Sequence, residues 1–267
     1  MPEPMLVPLL IDFACVVLGL LVLWQVAVRI EDVSFIDAVW GGGMAVVAAI
    51  AWVQRGLPGG RGGLIAGMAV LWGSRLGWHL FTRWRAHGED PRYARMLGKA
   101  KSKGQFASAS LKFVFGPQAV LLFVTCLPAQ VGVLQSPPGT PIGPLALAGA
   151  ALWAVGLAFE TIGDWQLSRF RADPASKGKV LDTGLWRYTR HPNYFGDACV
   201  WWGIWLAAAE AGWLPAAVAA IGPVFLTFTL TKWSGKPLLE KSMAKRRPGY
   251  DEYVRKTSGF IPWPPKG

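Results

Sequence analysis

The sequence predicts an all-α integral membrane protein of seven transmembrane helices, with the N-terminus outside and the C-terminus in the cytoplasm. Three observations predict it. Hydrophobic residues make up 52% of the 267 and charged residues 16%, with a mean hydropathy of +0.33, whereas a soluble domain carries about 25% charged residues. The 15 tryptophans and 32 glycines fit, because Trp favours the headgroup interface and Gly is commoner in membrane helices than in soluble ones. Finally, 23 of the 27 Lys and Arg fall in three segments, residues 83–112, 169–190 and 232–266. This composition excludes disorder, a coiled coil and an ordinary soluble enzyme.

A helix crossing about 30 Å of hydrocarbon needs roughly 20 mostly apolar residues. Seven stretches qualify, at about 6 to 28, 35 to 53, 63 to 82, 111 to 132, 143 to 164, 194 to 211 and 213 to 232. The first is expected to remain as a membrane helix, since MPEPM lacks the basic region of a signal peptide and no small-residue cleavage site follows. Spans two and three follow in sequence and are rich in glycine. Between the fourth and fifth lies QSPPGTPIGP, residues 135–144, a Pro/Gly connector without a charge. The last two are joined so tightly around Gly212 that they form a helical hairpin.

Lys- and Arg-rich loops stay in the cytoplasm. The three basic segments therefore face the cytosol, and the connector and the Gly212 turn face the other side. Arg55 and Arg61, in an outer loop, are a mild exception. No repeat period is visible, so residues 1–267 read as a single membrane domain. The formal charge of +11 would point to nucleic acid in a soluble domain. Basic cytoplasmic loops account for it here, so no nucleic-acid partner is expected, nor any obligate protein partner. Cys15, Cys126 and Cys199 lie singly in apolar runs without CxxC pairing, which supports neither a disulfide framework nor a metal site.

Ionisable groups inside membrane spans are costly and mark functional candidates. Asp37 stands in the first turn of span two, near Trp40. Arg75, His79 and Arg83 form one stripe at i, i+4 and i+8 on span three, and Glu160, Asp164 and Arg171 share a face at the end of span five. Asn193 and Asp197 are again i and i+4 at the start of span six. All lie in the cytoplasmic half, so four spans contribute to one polar layer open to the cytosol. Each has a plainer reading. Asp37 suits a helix N-terminus, Arg75, His79 and Arg83 suit snorkelling, and Asp164 with Arg169 suits an interfacial ion pair. Independent snorkelling would not, however, align Glu160 with Asp164 and Asn193 with Asp197.

The segment LDTGLWRYTRHPNYFGDACVWWG, residues 181–203, is the most informative. Pro192 suits the first turn of a helix, where its missing N–H is harmless, and Asn193 and Asp197 project from that turn. A helix start flanked by Arg187, Arg190 and His191 suits an anionic ligand. GLWRYTRHPNYFGD resembles the signature of the membrane steroid 5-alpha-reductase and sterol reductase superfamily, which also takes in isoprenylcysteine carboxyl methyltransferases. The resemblance covers roughly residues 155 to 262 and is weaker in spans two and three. QLSRFRADP and the closing PLLEKSMAKRRPGYDEYVRKTSGFIPWPP resemble the family's patterns as well.

The resemblance implies NADPH held among the last spans and their loops by Asp164, Arg169, Arg171, Trp186, Arg190, His191, Asn193, Tyr194, Asp197 and Glu240. It divides the chain into residues 1–110, with spans one to three and the substrate side, and residues 111–267, with spans four to seven and the cofactor-binding loops. It also implies a bacterial inner-membrane enzyme that reduces a conjugated carbon–carbon double bond in a steroid-like or other lipophilic substrate drawn from the bilayer, among membrane lipids. The family's steroid reductases carry a carboxylate early in span two, where Asp37 sits, and pair it with a tyrosine in span three. None of the five tyrosines here lies in that span, where His79 and Leu80 stand.

Hydride delivery to the β carbon of an enone leaves charge on its oxygen, which needs a preorganised donor. A protonated Asp37, with His79 or Arg75 as second donor, is expected to supply it, and Trp40 and Arg75 are expected to hold the substrate. No GxGxxG fingerprint is present, so cationic loops replace a Rossmann cradle. A methyltransferase using S-adenosylmethionine in a similar cavity remains an alternative, as does a channel or transporter. The Arg169/Arg171 pair favours a phosphate-rich cofactor, and the polar groups stop at mid-depth rather than continuing across the membrane.

Overall fold

A computed structural model describes residues 5–233 and 235–266. The structure is all-helical, with no strand among the described residues and one isolated parallel bridge between Thr189 and Ser258. Five helical segments are long and apolar enough to cross a membrane: Leu6–Ile30, Ile36–Gln54, Phe106–Thr125, Pro144–Ala172 and Trp213–Lys241. Such helices are compatible with an integral membrane protein. Much of their apolar surface faces outward, including Leu10, Leu18 and Val22 of the first and Val155 and Ile162 of the fourth. Contiguous exposed apolar surface of this kind is unfavourable in water.

We number the helices α1 (Leu6–Ile30), α2 (Ile36–Gln54), α3 (Gly60–His87), α4 (Pro91–Lys101), α5 (Phe106–Thr125), α6 (Leu127–Leu134), α7 (Pro144–Ala172), α8 (Pro192–Ala209), α9 (Trp213–Phe228), α10 (Lys236–Arg246) and α11 (Tyr250–Lys256). The fourth expected span is displaced. Helix α5 starts at Phe106, passes through a π-helical turn at Leu111–Phe115 and stops at Thr125, where Cys126 separates it from α6. Pro128, in the first turn of α6, lacks the N–H that a continuous helix would use, and this breaks the run. Helices α3 and α7 outlast their expected spans and end at His87 and Ala172, the first with Arg85 and His87 and the second with Arg169 and Arg171 in its last turn. Charges there complement the helix dipole.

The chain divides into two compact units, Met1–Leu147 with Ile204–Gly222, and Ala148–Gly203 with Pro223–Gly267. In the first, α2 and α3 pack backbone against backbone. A Cβ on Gly41 would lie 2.7 Å from Gly73 O and Gly77 N, and one on Gly77 would lie 2.9 Å from Gly42 N. Small residues permit this approach, the usual basis of close helix pairs in membranes. Leu127, Val131, Ala208 and Ala219 form a buried cluster against which Leu9, Phe123 and Trp205 pack. Arg61 is no loop charge. It is 6% exposed and donates from Nε to Ser136 Oγ (2.9 Å) and from Nη2 to the Gln135 carbonyl (2.8 Å).

The second unit is organised by α7 and α8. Glycines at 156 and 163 on one helix meet Gly196 and Pro192 on the other, and Gly203 meets Gly149. A Cβ on Gly156 would lie 2.5 Å from Gly196 O and 2.6 Å from Val200 N. The seven-residue spacing of Gly149, Gly156 and Gly163 keeps the contact on one helix face.

Candidate functional site

In the first unit, Asp37 is the centre of a charged cluster. The turn before α2 is fixed by Asp32, which accepts from Ser34 N (2.7 Å) and from Trp84 Nε1 of α3 (2.8 Å). Ser34 Oγ in turn accepts from Asp90 N (2.7 Å). Asp90 caps α4 by accepting from Arg92 N (2.8 Å), and Pro91 follows at the first helical position. Two polar residues thus seat α4 beside the start of α2.

That placement brings Tyr93 and Arg92 onto Asp37. The Tyr93 hydroxyl donates to Asp37 Oδ1 at 2.8 Å, Arg92 Nη2 donates to Oδ2 at 2.6 Å, and Arg83 Nη2 lies 3.6 Å from Oδ2. Burial raises the Tyr93 phenol well above its ordinary pKa, and the Asp37 charge and the hydrogen bond to it raise it further. Tyr93 is therefore a protonated phenol at any physiological pH. Burial alone would raise Asp90, but bonds from the Arg92 side chain and backbone outweigh it and hold Asp90 below the usual carboxylate range. Arg92 is held firmly charged, first by its hydrogen bond to Asp90 and, against the cost of burial, by the charges of Asp37 and Asp90.

The sequence expectation gave Asp37 the donor's role with His79 or Arg75 beside it. In the structure the contacts to Asp37 come from Tyr93, Arg92 and Arg83, two cations and one hydroxyl, and both of its oxygens accept. Arg75 and His79 lie half-buried farther along α3, and Trp40 lies half-buried three residues beyond Asp37 on α2. Tyr93 is the residue that sequence reasoning missed. Its signal was available: Asp90-Pro91 is a helix start, and Tyr93 and Leu97, four apart, form the buried stripe of the helix that follows.

The second unit gathers most of the other expected residues. Asn193 Nδ2 donates to Asp164 Oδ1 (3.3 Å), while its Oδ1 accepts from Tyr194 N (3.1 Å). Glu240 Oε1 accepts from Arg190 Nε (2.8 Å) and lies 3.0 Å from His191 Nε2. The His191 and Tyr194 rings stack, with centroids 5.2 Å apart and planes 8° from parallel. Trp186 Nε1 donates to the Gly163 carbonyl (3.2 Å), and Tyr253 Oη donates to the Trp186 carbonyl (2.6 Å). Asp164 is buried and Asp197 half-buried. Arg169 and Arg171 are exposed at the end of α7, the Arg169 guanidinium 5.1 Å from the Trp165 ring centroid. The loop that follows exposes Lys177, Lys179 and Arg187.

The match to the family pattern described as "Protein of unknown function (DUF1295)" runs over residues 23–257 and takes in both clusters. The chain belongs to the DUF1295 family. An uncharacterized protein of Schizosaccharomyces pombe, 23% identical over 292 residues, aligns with 97% of this chain and 80% of its own length. No solved structure matches the chain significantly. The DUF1295 match spans Asp37, Tyr93, Asn193 and Glu240, so the residues of both clusters fall inside the family's common region.

Proposed function

We propose that this DUF1295 protein is an NADPH-dependent membrane reductase of a conjugated carbon–carbon double bond in a lipophilic enone. The observation that carries the reading is the Asp37–Tyr93 pair. A phenol kept protonated by burial and oriented by a neighbouring carboxylate has one hydrogen that it can turn to an enone oxygen, and methyl transfer to a carboxylate has no use for one. The family includes steroid 5-alpha-reductase-like proteins, which agrees.

In this reading the second unit holds the cofactor. Asn193 and Asp164 offer an amide and a carboxylate to polar groups of a nucleotide, and Arg169, Arg171 and the basic loop offer cations to its phosphates. His191, Tyr194, Trp186 and Asp197 support that surface, and the Arg190–Glu240 pair fastens it to the C-terminal segment without touching the cofactor. NADPH supplies a hydride when bound. The first unit holds the substrate. The Tyr93 hydroxyl, whose single hydrogen rests on Asp37 Oδ1, turns that hydrogen to the carbonyl oxygen as charge gathers there, while Arg92 and Arg83 remain on the Asp37 carboxylate. Trp40, Arg75 and His79 line the approach on α2 and α3.

The reading also keeps seven spans, with α3 and α8 added to the five most apolar segments, and a cytoplasmic C-terminus. Reporter fusions after Gly267 should then behave as cytoplasmic and those within residues 136–142 as external. Titration of the purified chain with NADPH and with S-adenosylmethionine tests the cofactor. Binding of NADPH alone is expected, and tight binding of S-adenosylmethionine without NADPH would replace the reading with a methyltransferase.

A further inference from the structure

Beside the start of α8, in the second unit, lies a cleft of about 330 Å³ formed by Arg190 and the C-terminal segment from Val254 to Lys266. None of its lining residues is acidic, and four are basic: Arg190, Arg255, Lys256 and Lys266. Arg190 is 8% exposed. Its Nε is held by Glu240, and its Nη1 by the carbonyls of Val254 and Thr257. Its Nη2 makes no hydrogen bond to any described residue. A Cβ built on Gly259 would lie 3.1 Å from that Nη2 and would collide with Lys236 Nζ. Two cationic nitrogens from different segments therefore converge on the space over one glycine.

Glu240 and Glu252 are the carboxylates in contact with these cations, Glu240 on Arg190 and Glu252 on Lys256. Residues 253–267 contain three cations and no acidic residue. Five cations, Arg190, Lys236, Arg255, Lys256 and Lys266, thus meet two carboxylates, and the excess positive charge favours a ligand of opposite charge. A buried guanidinium edge with an ammonium beside it matches the oxygens of a phosphate group.

Apolar side chains next to the cleft identify the source of that phosphate. Ile261 is 64% exposed and Trp263, which also lines the cleft, 69%. Leu238 on α10, two residues from Lys236, is 61% exposed. Trp at the headgroup level, with Lys and Arg reaching phosphates and aliphatic side chains reaching acyl chains, is the usual pattern of a membrane interface. We propose that this cleft binds the phosphate of an anionic glycerophospholipid, gripped by Arg190 Nη2 and Lys236, with Arg255 and Lys266 at its rim. The inference does not depend on the reductase reading, because it concerns binding alone.

The full chain, purified in detergent, is titrated with dioctanoyl phosphatidic acid, with dioctanoyl phosphatidylcholine and with inorganic phosphate, each with and without NADPH. Phosphatidic acid should bind at least about tenfold more tightly than either comparison ligand, with no change on adding NADPH. Arg255→Ala combined with Lys266→Ala should lose most of that preference, and so should Lys236→Ala, which keeps the Arg190–Glu240 pair that joins the segments. Equal affinity for phosphatidylcholine would overturn the proposal. Phosphate bound as tightly as the lipid would make this a site for a free anion. Displacement of the lipid by NADPH would make it part of a cofactor site.

Discussion

The two polar clusters of this protein hold their carboxylates differently. Around Asp37, side chains from α3 and α4 converge on one carboxylate that stays partly open, and the hydroxyl bonded to it belongs to a buried phenol. Around Glu240, the partners Arg190 and His191 are themselves buried, and Arg190 also ties down the carbonyls of Val254 and Thr257. The first arrangement leaves a donor poised beside accessible charge, and the second fastens the entry of α8 to the C-terminal helices. Chemistry is best served by the first and binding by the second, since a reacting group needs access and a binding surface needs rigidity.

Substitutions that separate turnover from cofactor affinity sharpen this contrast. The largest effect is expected in the first cluster. Tyr93→Phe should lower enone turnover by about a hundred- to a thousandfold, as removal of an oxyanion donor does, and Asp37→Leu, which removes the group that orients Tyr93, should lower it less, both with NADPH affinity unchanged. Paired loss of affinity and turnover would make the first cluster part of the cofactor site. In the second cluster, Asn193→Ala and Arg171→Ala should weaken NADPH binding by roughly ten- to a hundredfold, as loss of a charge-assisted or buried hydrogen bond does. Titration calorimetry would show this, and an unchanged dissociation constant for both variants would remove the second cluster from cofactor binding.

Packing sets a smaller effect. Gly156→Ala places a methyl group against Gly196 O, so α7 and α8 must part, at a cost of about 1 to 3 kcal/mol. Thermal unfolding in detergent should register that loss, whereas Gly139→Ala, in an open turn, should bring only the strain of its positive φ. The smallest effect is a shift in pH dependence. Because the Asp37 charge helps to raise Tyr93, Asp37→Asn removes a raising influence. The alkaline limb of the residual turnover should then move to lower pH. A limb that stays in place would mean that Tyr93 does not supply the proton.

Much of the second cluster was legible in the sequence, because one continuous segment, GLWRYTRHPNYFGD, carries most of it and helical spacing aligns Asn193 with Asp197. The partner of Asn193 was also within reach, since Asp164 stood out as a costly charge near a span end. The first cluster was legible only by half. Asp37 was visible as a charge in an apolar run, but two of its three partners, Arg92 and Tyr93, come from α4, a short helix in a basic loop where any arginine or tyrosine looks like solvated surface. What places them is a chain of side chain to backbone bonds, through Asp32, Ser34 and Asp90, that no periodicity encodes. The break at Cys126 was hidden for the opposite reason. An unbroken apolar run masks a helix end, and only Pro128 marked it.

The central claim is that this chain transfers hydride from NADPH to a lipophilic enone, and isotope transfer tests it most directly. The purified protein in lipid is incubated with NADPH carrying deuterium at the transferable position, with S-adenosylmethionine carrying a labelled methyl group, and with a panel of enone lipids. Mass analysis should find a saturated product that holds one deuterium, formed by the native chain and greatly reduced in Tyr93→Phe. A lipid product carrying the labelled methyl group, with NADPH unconsumed, would contradict the claim.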